Sequence, residues 1–248
     1  MIPVMLALWV VQRTHKNAVI ADLGFCLGFG GIVLWYAVVA DGNPVRRILV
    51  GSMGAAYSFR LGLHLFLHRI YKKEEDSRYR RLRNQWGKRA QFFFFLYFQG
   101  QAVAIAIFSL PLMVLMLNPH PVFSLWELIG ILVWCVSIMG EALADTQLAF
   151  FRADPTNQGK TCRTGLWRYS RHPNYFFEGL HWCSYVVMSI GVPFGWLTLI
   201  GPVLMIWGLW KVTGIPYSEA QALANRGEDY RDYQRTTNAF FPWFPKKF

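Results

Sequence analysis

Six apolar runs, each close to the length of a membrane-spanning helix, constrain the fold of this chain more than any other feature. They lie near residues 18–40, 48–71, 91–117, 124–151, 173–191 and 196–213. A helix needs about 20 mostly apolar residues to cross a bilayer. Only 16% of the residues are charged, whereas soluble domains have about 25%. We therefore predict an all-α, polytopic transmembrane helix bundle of six spans, or seven if residues 1–12 complete another.

The basic residues indicate which way the bundle faces. Segments 12–17, 72–90, 152–172 and 214–248 hold most of them, and six spans place all four segments on one face. Because Lys and Arg collect on the cytoplasmic side, we expect the basic loops and the C-terminus there, at the inner membrane if the source is bacterial. The net charge of +11 comes in short bursts between apolar runs, which does not indicate nucleic-acid binding. Residues 217–237 predict a cytosolic, partly amphipathic helix that Gly227 ends or bends.

The four cysteines predict neither a disulfide framework nor a metal site. Cys26, Cys135 and Cys183 lie inside apolar runs, and Cys162 stands alone in a polar loop. The sequence contains no CxxC pair, which zinc sites and redox motifs usually use. We therefore predict no bound metal.

Several ionisable residues lie inside the apolar runs, where they are costly and often functional. Asp22 lies near the start of the first run, and His64 lies one helical turn after Arg60 on the same face. Glu141 and Asp145 are also one turn apart. Asp22 can be a structural charge at a helix end or a functional acid. The Glu141–Asp145 pair can hold the polar groups of a ligand or form structural ion pairs.

The stretch from Arg152 to Trp182 contains the densest set of polar residues. A helix begins there with Pro173 and Asn174, and open amides at such a start favour an anion. Five cations precede it: Arg152, Lys160, Arg163, Arg168 and Arg171. This pattern predicts a phosphate or pyrophosphate site, although a topology-setting basic loop would carry the same charges. Glu178 and His181, just inside the membrane on that helix, favour the ligand site.

A family resemblance centres on the motif that opens this helix, Arg168-Tyr-Ser-Arg-His-Pro-Asn-Tyr-Phe-Phe-Glu178. With this motif the chain resembles the steroid 5-alpha-reductase C-terminal family, and most of all its bacterial branch. Sterol C14 reductases and isoprenylcysteine carboxyl methyltransferases are related to that family. The likeness is strong from about Glu141 to Phe248. Because reductases and methyltransferases share the motif, the resemblance supports the fold better than the reaction.

The resemblance implies a site for NADPH in a cytosol-facing cavity. It also implies a single integral membrane domain, in which residues 1–123 form the substrate side and 124–248 bind the cofactor. By this likeness Asp145 and Arg152 match a cofactor-binding pair, and Lys160 is a second basic contact. Asn174 reaches the nicotinamide side, and Glu178 is the acid one turn later. The other expected cofactor contacts are Glu141, Arg168, Arg171 and His172 near the motif, and Tyr217, Glu219, Tyr230 and Tyr233 in the tail.

The catalytic end departs from the family pattern. The steroid reductases polarise the substrate ketone with a tyrosine and an acid from early helices, and Asp22 can serve as that acid. Phe66 occupies the tyrosine position, which leaves His64 or Tyr57 as the nearby donor. The expected catalytic residues are therefore Asp22, His64 and Glu178.

Three functions are compatible with the sequence. The first is NADPH-dependent reduction of an activated C=C bond in a lipophilic, steroid- or enone-like substrate within the bilayer. The second is methyl transfer from S-adenosylmethionine to a lipid or a lipidated thiol, for which the phosphate-binding cations would be superfluous. The third is a non-catalytic lipid-binding protein, which would not need Asp145, Arg152, Asn174 and Glu178 together.

Overall fold

The computed structural model describes residues 1–71 and 75–246, apart from the side chain of His68. This part of the chain contains ten α-helices and no strand. They are α1 (Ile2–His15), α2 (Ile20–Val39), α3 (Pro44–Leu65), α4 (Ser77–Trp86), α5 (Ala90–Met116), α6 (Leu125–Ala153), α7 (Pro173–Met188), α8 (Ile200–Trp207), α9 (Ile215–Arg226) and α10 (Glu228–Thr236). The predicted all-α fold is confirmed.

Four helical segments within the described residues are long and apolar enough to cross a membrane. They are Ile20–Val39, Ser77–Met116, Leu125–Ala153 and Gly195–Arg226. The second joins α4 and α5 through a 3-10 turn, and the fourth includes α8 and α9. These segments support a membrane protein. The six or seven spans and the sidedness of the loops stay predictions.

The helix boundaries explain why fewer segments qualify. α3 has 22 residues but includes Arg46, Arg47, Arg60 and His64, and it continues as a π-helix over Phe66–Ile70. α7 has 16 residues, fewer than the roughly 20 that a spanning helix needs. α1 has 14 residues, which makes it a helix too short to cross.

The polar segment expected to be one helix near 217–237 is two. Gly227 separates α9 from α10 with a φ of +53°, a left-handed conformation that glycine adopts without strain. The bend predicted at this glycine is confirmed.

The chain divides into two compact units, which are described separately. The first comprises Met1–Val122 and Gly191–Thr198. In it α2 packs against α3 and α5, and α1 packs against α5. The fully buried Arg46 donates to the carbonyl oxygens of Asn118 and His120 at 3.0 and 2.6 Å. These bonds tie the start of α3 to the loop after α5.

The second unit comprises Phe123–Ile190 and Leu199–Phe248 and is built on the pairing of α6 with α7. Ser124 and Glu127 form a capping box that starts α6. Gly130 brings the two helices into close contact: a Cβ there would lie 2.8 Å from the Ser184 carbonyl oxygen. α9 and α10 follow with the tail that ends the chain. Whether the two units correspond to substrate and cofactor halves of one domain stays a prediction.

Candidate functional site

The predicted acids of α6 and the polar residues of α7 lie in the same unit. Asn174 Nδ2 donates to Asp145 Oδ1 at 3.2 Å. The Asn174 side-chain oxygen accepts from the Tyr175 amide at 3.0 Å. Because its oxygen is occupied by the backbone, the Asn174 amide nitrogen is directed at the acid. The structure thus joins two residues, 29 positions apart, that the sequence had assigned to one site.

Two further acids lie one turn deeper on the same two helices. Glu141 and Glu178 are 6% and 7% exposed. Trp182 Nε1 donates to Glu178 Oε1 at 3.0 Å, which fixes the orientation of this carboxylate. His181, on the next turn of α7, is fully buried among aromatic rings, with Tyr185 5.1 Å away between ring centroids. The two helices thus bring Glu141, Glu178 and His181, all buried, into the same unit.

The five cations predicted around the start of α7 do not all converge. Arg171 Nε donates to Glu219 Oε1 at 2.7 Å, and its NH1 group donates to the Thr237 carbonyl at 2.6 Å. The structure therefore places Arg171 in an ion pair with the tail helix α9. Arg168 is exposed.

His172 and Glu219 extend this ion pair into a network that we call the tail clasp, formed by Arg171, His172, Glu219 and Gln234. His172 Nε2 lies 3.2 Å from Glu219 Oε1, and Gln234 Nε2 donates to Glu219 Oε2 at 2.7 Å. Burial lowers the pKa of His172 in spite of the adjacent carboxylate. The imidazole is therefore neutral at physiological pH and donates to Glu219. The clasp holds the tail against the start of α7.

The tail tyrosines also contact the motif. Tyr233, 2% exposed, donates to the carbonyl oxygens of Ser170, at 3.1 Å, and of Trp167. Tyr230 packs beside it with ring centroids 5.9 Å apart. Burial raises the pKa of both phenols, so both keep their protons as hydrogen-bond donors. Tyr217 lies half-buried on α9.

A second clamp ties the loop after α6 to α10. Asp229 Oδ2 accepts from the Thr161 amide at 2.8 Å, and Asp229 Oδ1 accepts from Arg163 at 2.9 Å. Arg163, predicted from the sequence as a phosphate contact, is therefore engaged by the tail.

Next to this clamp lies a cavity of about 330 Å³, between the end of α6, the loop that follows it and the end of α9. Arg152 and Lys160, which the family resemblance implies as contacts to one ligand, both line it. Arg226, which the sequence analysis did not assign, is a third cation on its wall. The other polar lining residues include Asp154, Asn157 and Cys162.

In the first unit, Asp22 has partners that the sequence analysis missed. Tyr79 donates to Asp22 Oδ1 at 2.5 Å, and Arg78 pairs with Asp22 Oδ2 at 2.7 Å. The Tyr97 hydroxyl lies 2.9 Å from that of Tyr79 and 3.3 Å from Asp22 Oδ1. We call these four residues the Asp22 cluster. It brings together α2, α4 and α5.

The hydrogen bonds to Asp22 among the described residues come from Arg78, Tyr79 and Tyr97, and not from the donors expected at His64 or Tyr57. Phe66 is 41% exposed, and its ring packs on that of Tyr71. Tyr57 is 1% exposed, edge-on to Phe29. His64 lies partly buried on α3 and is not among the hydrogen-bond partners of Asp22. The sequence of residues 75–79 contains a helix N-cap residue, Asp76, followed by Arg78 and Tyr79. Nothing in these residues indicated that Arg78 and Tyr79 would contact Asp22.

One family matches nearly the whole chain: residues 8–237 match the family described as Protein of unknown function (DUF1295). No curated protein and no solved structure matches.

Proposed function

This chain belongs to the DUF1295 family, and we propose that it is a membrane-embedded, NADPH-dependent reductase of an activated C=C bond in a lipophilic, enone-like substrate. The Arg168–Glu178 motif supports placing it beside the steroid 5-alpha-reductases. The observation that carries the proposal is the polar face of the second unit, where an acid–amide pair and a cation-lined cavity occur along one helix.

That face follows from the spacing of three residues on α6. Glu141, Asp145 and Arg152 are four and seven positions apart, which places them on one side of the helix. At 1.5 Å per residue the stripe is about 16 Å long. It has acids at one end and a cation at the other. An elongated ligand with phosphate at one end and hydrogen-bonding groups at the other would fit this order of charges.

NADPH is such a ligand, and the residues present fit its parts. The cavity volume lies at the lower end of the range for small-molecule sites, about 300–1,000 Å³, so it suits a phosphate with its ribose rather than the whole cofactor. Arg152 and Lys160 would bind phosphate oxygens. Asp145 can accept from ribose hydroxyls, and Asn174 presents its amide beside it. When bound, the cofactor supplies the hydride.

The reduction also needs a proton donor and a group that stabilises the developing enolate. In the first unit, the Asp22 cluster is the candidate for this role. Arg78 and Tyr79 orient the Asp22 carboxylate through both oxygens. Tyr79 has one hydroxyl hydrogen, which would turn from Asp22 to a substrate carbonyl oxygen in order to donate to it. Tyr79 therefore takes the place of the donor that we expected from His64 or Tyr57.

Cofactor binding tests the proposal directly. The detergent-solubilised protein would be titrated with NADPH and with S-adenosylmethionine, in the wild type, in Arg152→Ala and in Arg235→Ala. Arg235 is an exposed cation on α10 that does not line the cavity, so it serves as the matched control. We expect NADPH binding that weakens about tenfold or more in Arg152→Ala alone, since a charged contact to phosphate contributes about 1.5–3 kcal/mol. Binding of S-adenosylmethionine alone would establish the methyltransferase, and binding of neither would leave the lipid-binding alternative.

A further inference from the structure

Three cations from separate parts of the chain meet at the cavity of the second unit. Arg152 comes from the last turn of α6, Lys160 from the loop after it, and Arg226 from the last turn of α9. Arg226 lies 66 residues beyond Lys160 in the sequence, so only the fold brings them to one cavity.

The charge of Arg226 is not neutralised within the described part of the chain. Its guanidinium stacks over the ring of Tyr230, 5.8 Å from the centroid, and no carboxylate forms an ion pair with it there. The ring leaves the guanidinium hydrogens available to a ligand while it restrains the side chain. The matched contrast is Arg171, whose charge is met by Glu219 at 2.7 Å.

The one acid on the cavity wall does not balance these charges. Asp154 Oδ1 accepts from the amide and the hydroxyl of Thr156, at 2.9 and 2.8 Å. These bonds lower the pKa of Asp154 and keep it charged. Three cations and one carboxylate leave a formal charge of +2 on the cavity wall. That charge matches a phosphate monoester, which carries close to two negative charges at neutral pH.

A cation at the end of a helix also stabilises the helix dipole. This effect accounts for Arg152 and Arg226 one at a time, because each stands in the last turn of its helix. It does not account for Lys160, which lies in a loop, or for the meeting of all three at one cavity.

From this geometry we infer that the cavity binds a dianionic phosphate monoester, the 2′-phosphate of NADPH, and that Arg226 selects NADPH over NADH. The inference rests on the proposed function, because it takes a dinucleotide as the ligand. It assigns to the tail helix α9 a specificity role that neither the motif nor the loop could indicate. A lipid phosphate monoester offers the same chemistry and is a separate arm of the test.

The test measures binding to the whole solubilised protein without any turnover. The probes are NADPH, NADH and adenosine 2′,5′-bisphosphate, with vesicles containing phosphatidic acid as the lipid arm. The variants are Arg226→Met, which keeps the apolar stem over Tyr230, Arg226→Lys, which keeps the charge, and Arg235→Ala as the exposed control. Thermal unfolding without ligand shows that each variant is folded.

We expect Arg226→Met to weaken NADPH and adenosine 2′,5′-bisphosphate about tenfold or more while NADH affinity changes by about twofold or less. Arg226→Lys should retain part of the preference, and Arg235→Ala all of it. Equal losses for NADPH and NADH would overturn the assignment to the 2′-phosphate and leave the reductase standing. Binding of phosphatidic acid that depends on Arg226, without competition by the bisphosphate, would overturn it in favour of a lipid. If no nucleotide binds the wild type, both this inference and the reductase proposal fail.

Discussion

The hydroxyl of Tyr79 donates to Asp22 Oδ1 at 2.5 Å, although the two residues are 57 positions apart in the chain. Arg78 holds the other oxygen of the same carboxylate at 2.7 Å. Asp22 is therefore oriented through both oxygens, rather than being a free charge at a helix end. The arrangement gives the first unit one chemically distinctive group, and it can be tested separately from cofactor binding.

Replacing Tyr79 by phenylalanine should separate catalysis from cofactor affinity. Without the phenol, reduction of an enone lipid should slow about 100-fold or more, as expected for loss of a proton donor. NADPH affinity should stay near that of the wild type, because the proposed phosphate contacts belong to the second unit. Tyr97→Phe is the matched control and should slow the reaction less, since its hydroxyl lies 3.3 Å from Asp22. Single-turnover NADPH oxidation measures both, and undiminished turnover in Tyr79→Phe would remove the cluster from the mechanism.

The Asp145–Asn174 contact predicts a charge-dependent loss of stability. Asn174→Asp would place a second carboxylate about 3.2 Å from Asp145, and repulsion between them should cost about 1–4 kcal/mol of unfolding free energy. Adding Asp145→Asn should restore most of that loss, because one amide and one acid again face each other. Thermal unfolding of the two single variants and the double variant measures the coupling. Additive effects would show that the two side chains do not interact.

The tail clasp should contribute more to the free energy of unfolding than an exposed ion pair in the same unit. The Arg171 and Glu219 side chains are 12% and 14% exposed, whereas those of Arg231 and Glu228 are 61% and 72% exposed. Arg171→Ala removes the cationic partner of a mostly buried carboxylate, which keeps only the contacts with His172 and Gln234, and should cost about 3 kcal/mol. Arg231→Ala should cost less than about 0.5 kcal/mol. Denaturant unfolding gives both values. Limited proteolysis should cut the tail faster in Arg171→Ala only, and equal cutting in both variants would contradict the clasp.

Mild acid should loosen the same clasp. Because burial lowers the pKa of His172, this imidazole is protonated near pH 6.5 in the unfolded chain but only at lower pH in the folded chain. The stabilising effect of the neutral imidazole is therefore complete above about pH 6.5 and is lost as the pH falls through the lower, folded pKa. His172→Asn should flatten this dependence. Thermal unfolding at a series of pH values compares the two proteins, and parallel curves would contradict the assignment.

The apolar helices could be read from the sequence because each depends on its own composition. The run near 91–117 corresponds to α5, Ala90–Met116, and the run near 124–151 to α6, Leu125–Ala153. The π-helical end of α3 and the shortness of α7 could not be read in the same way, because packing decides where a helix stops. The predicted spans that do not qualify as membrane-spanning helices, near 48–71 and 173–191, are those whose charge or length differs from an uninterrupted apolar helix of about 20 residues.

The candidate site shows the same difference. Asp145 and Arg152 share a helical repeat, Asn174 belongs to the motif, and Lys160 follows from the family resemblance, so all four could be proposed from the sequence. Their role as cofactor contacts stays a prediction. Tyr79 and Arg226 could not be proposed, since each joins its site through a contact between distant segments. Arg171 was identified by the motif, but its partner Glu219 lies 48 residues away and could not be predicted from the sequence.

The clasp also sets an order of events during synthesis. The partners of Arg171 are Glu219, Gln234 and Thr237, which follow it by 48, 63 and 66 residues. The start of α7 therefore leaves the ribosome well before any of the groups that hold it in place. Contacts between such distant residues form late in folding. A nascent chain can insert its apolar helices one after another, but it completes the start of α7 only once the tail has been translated.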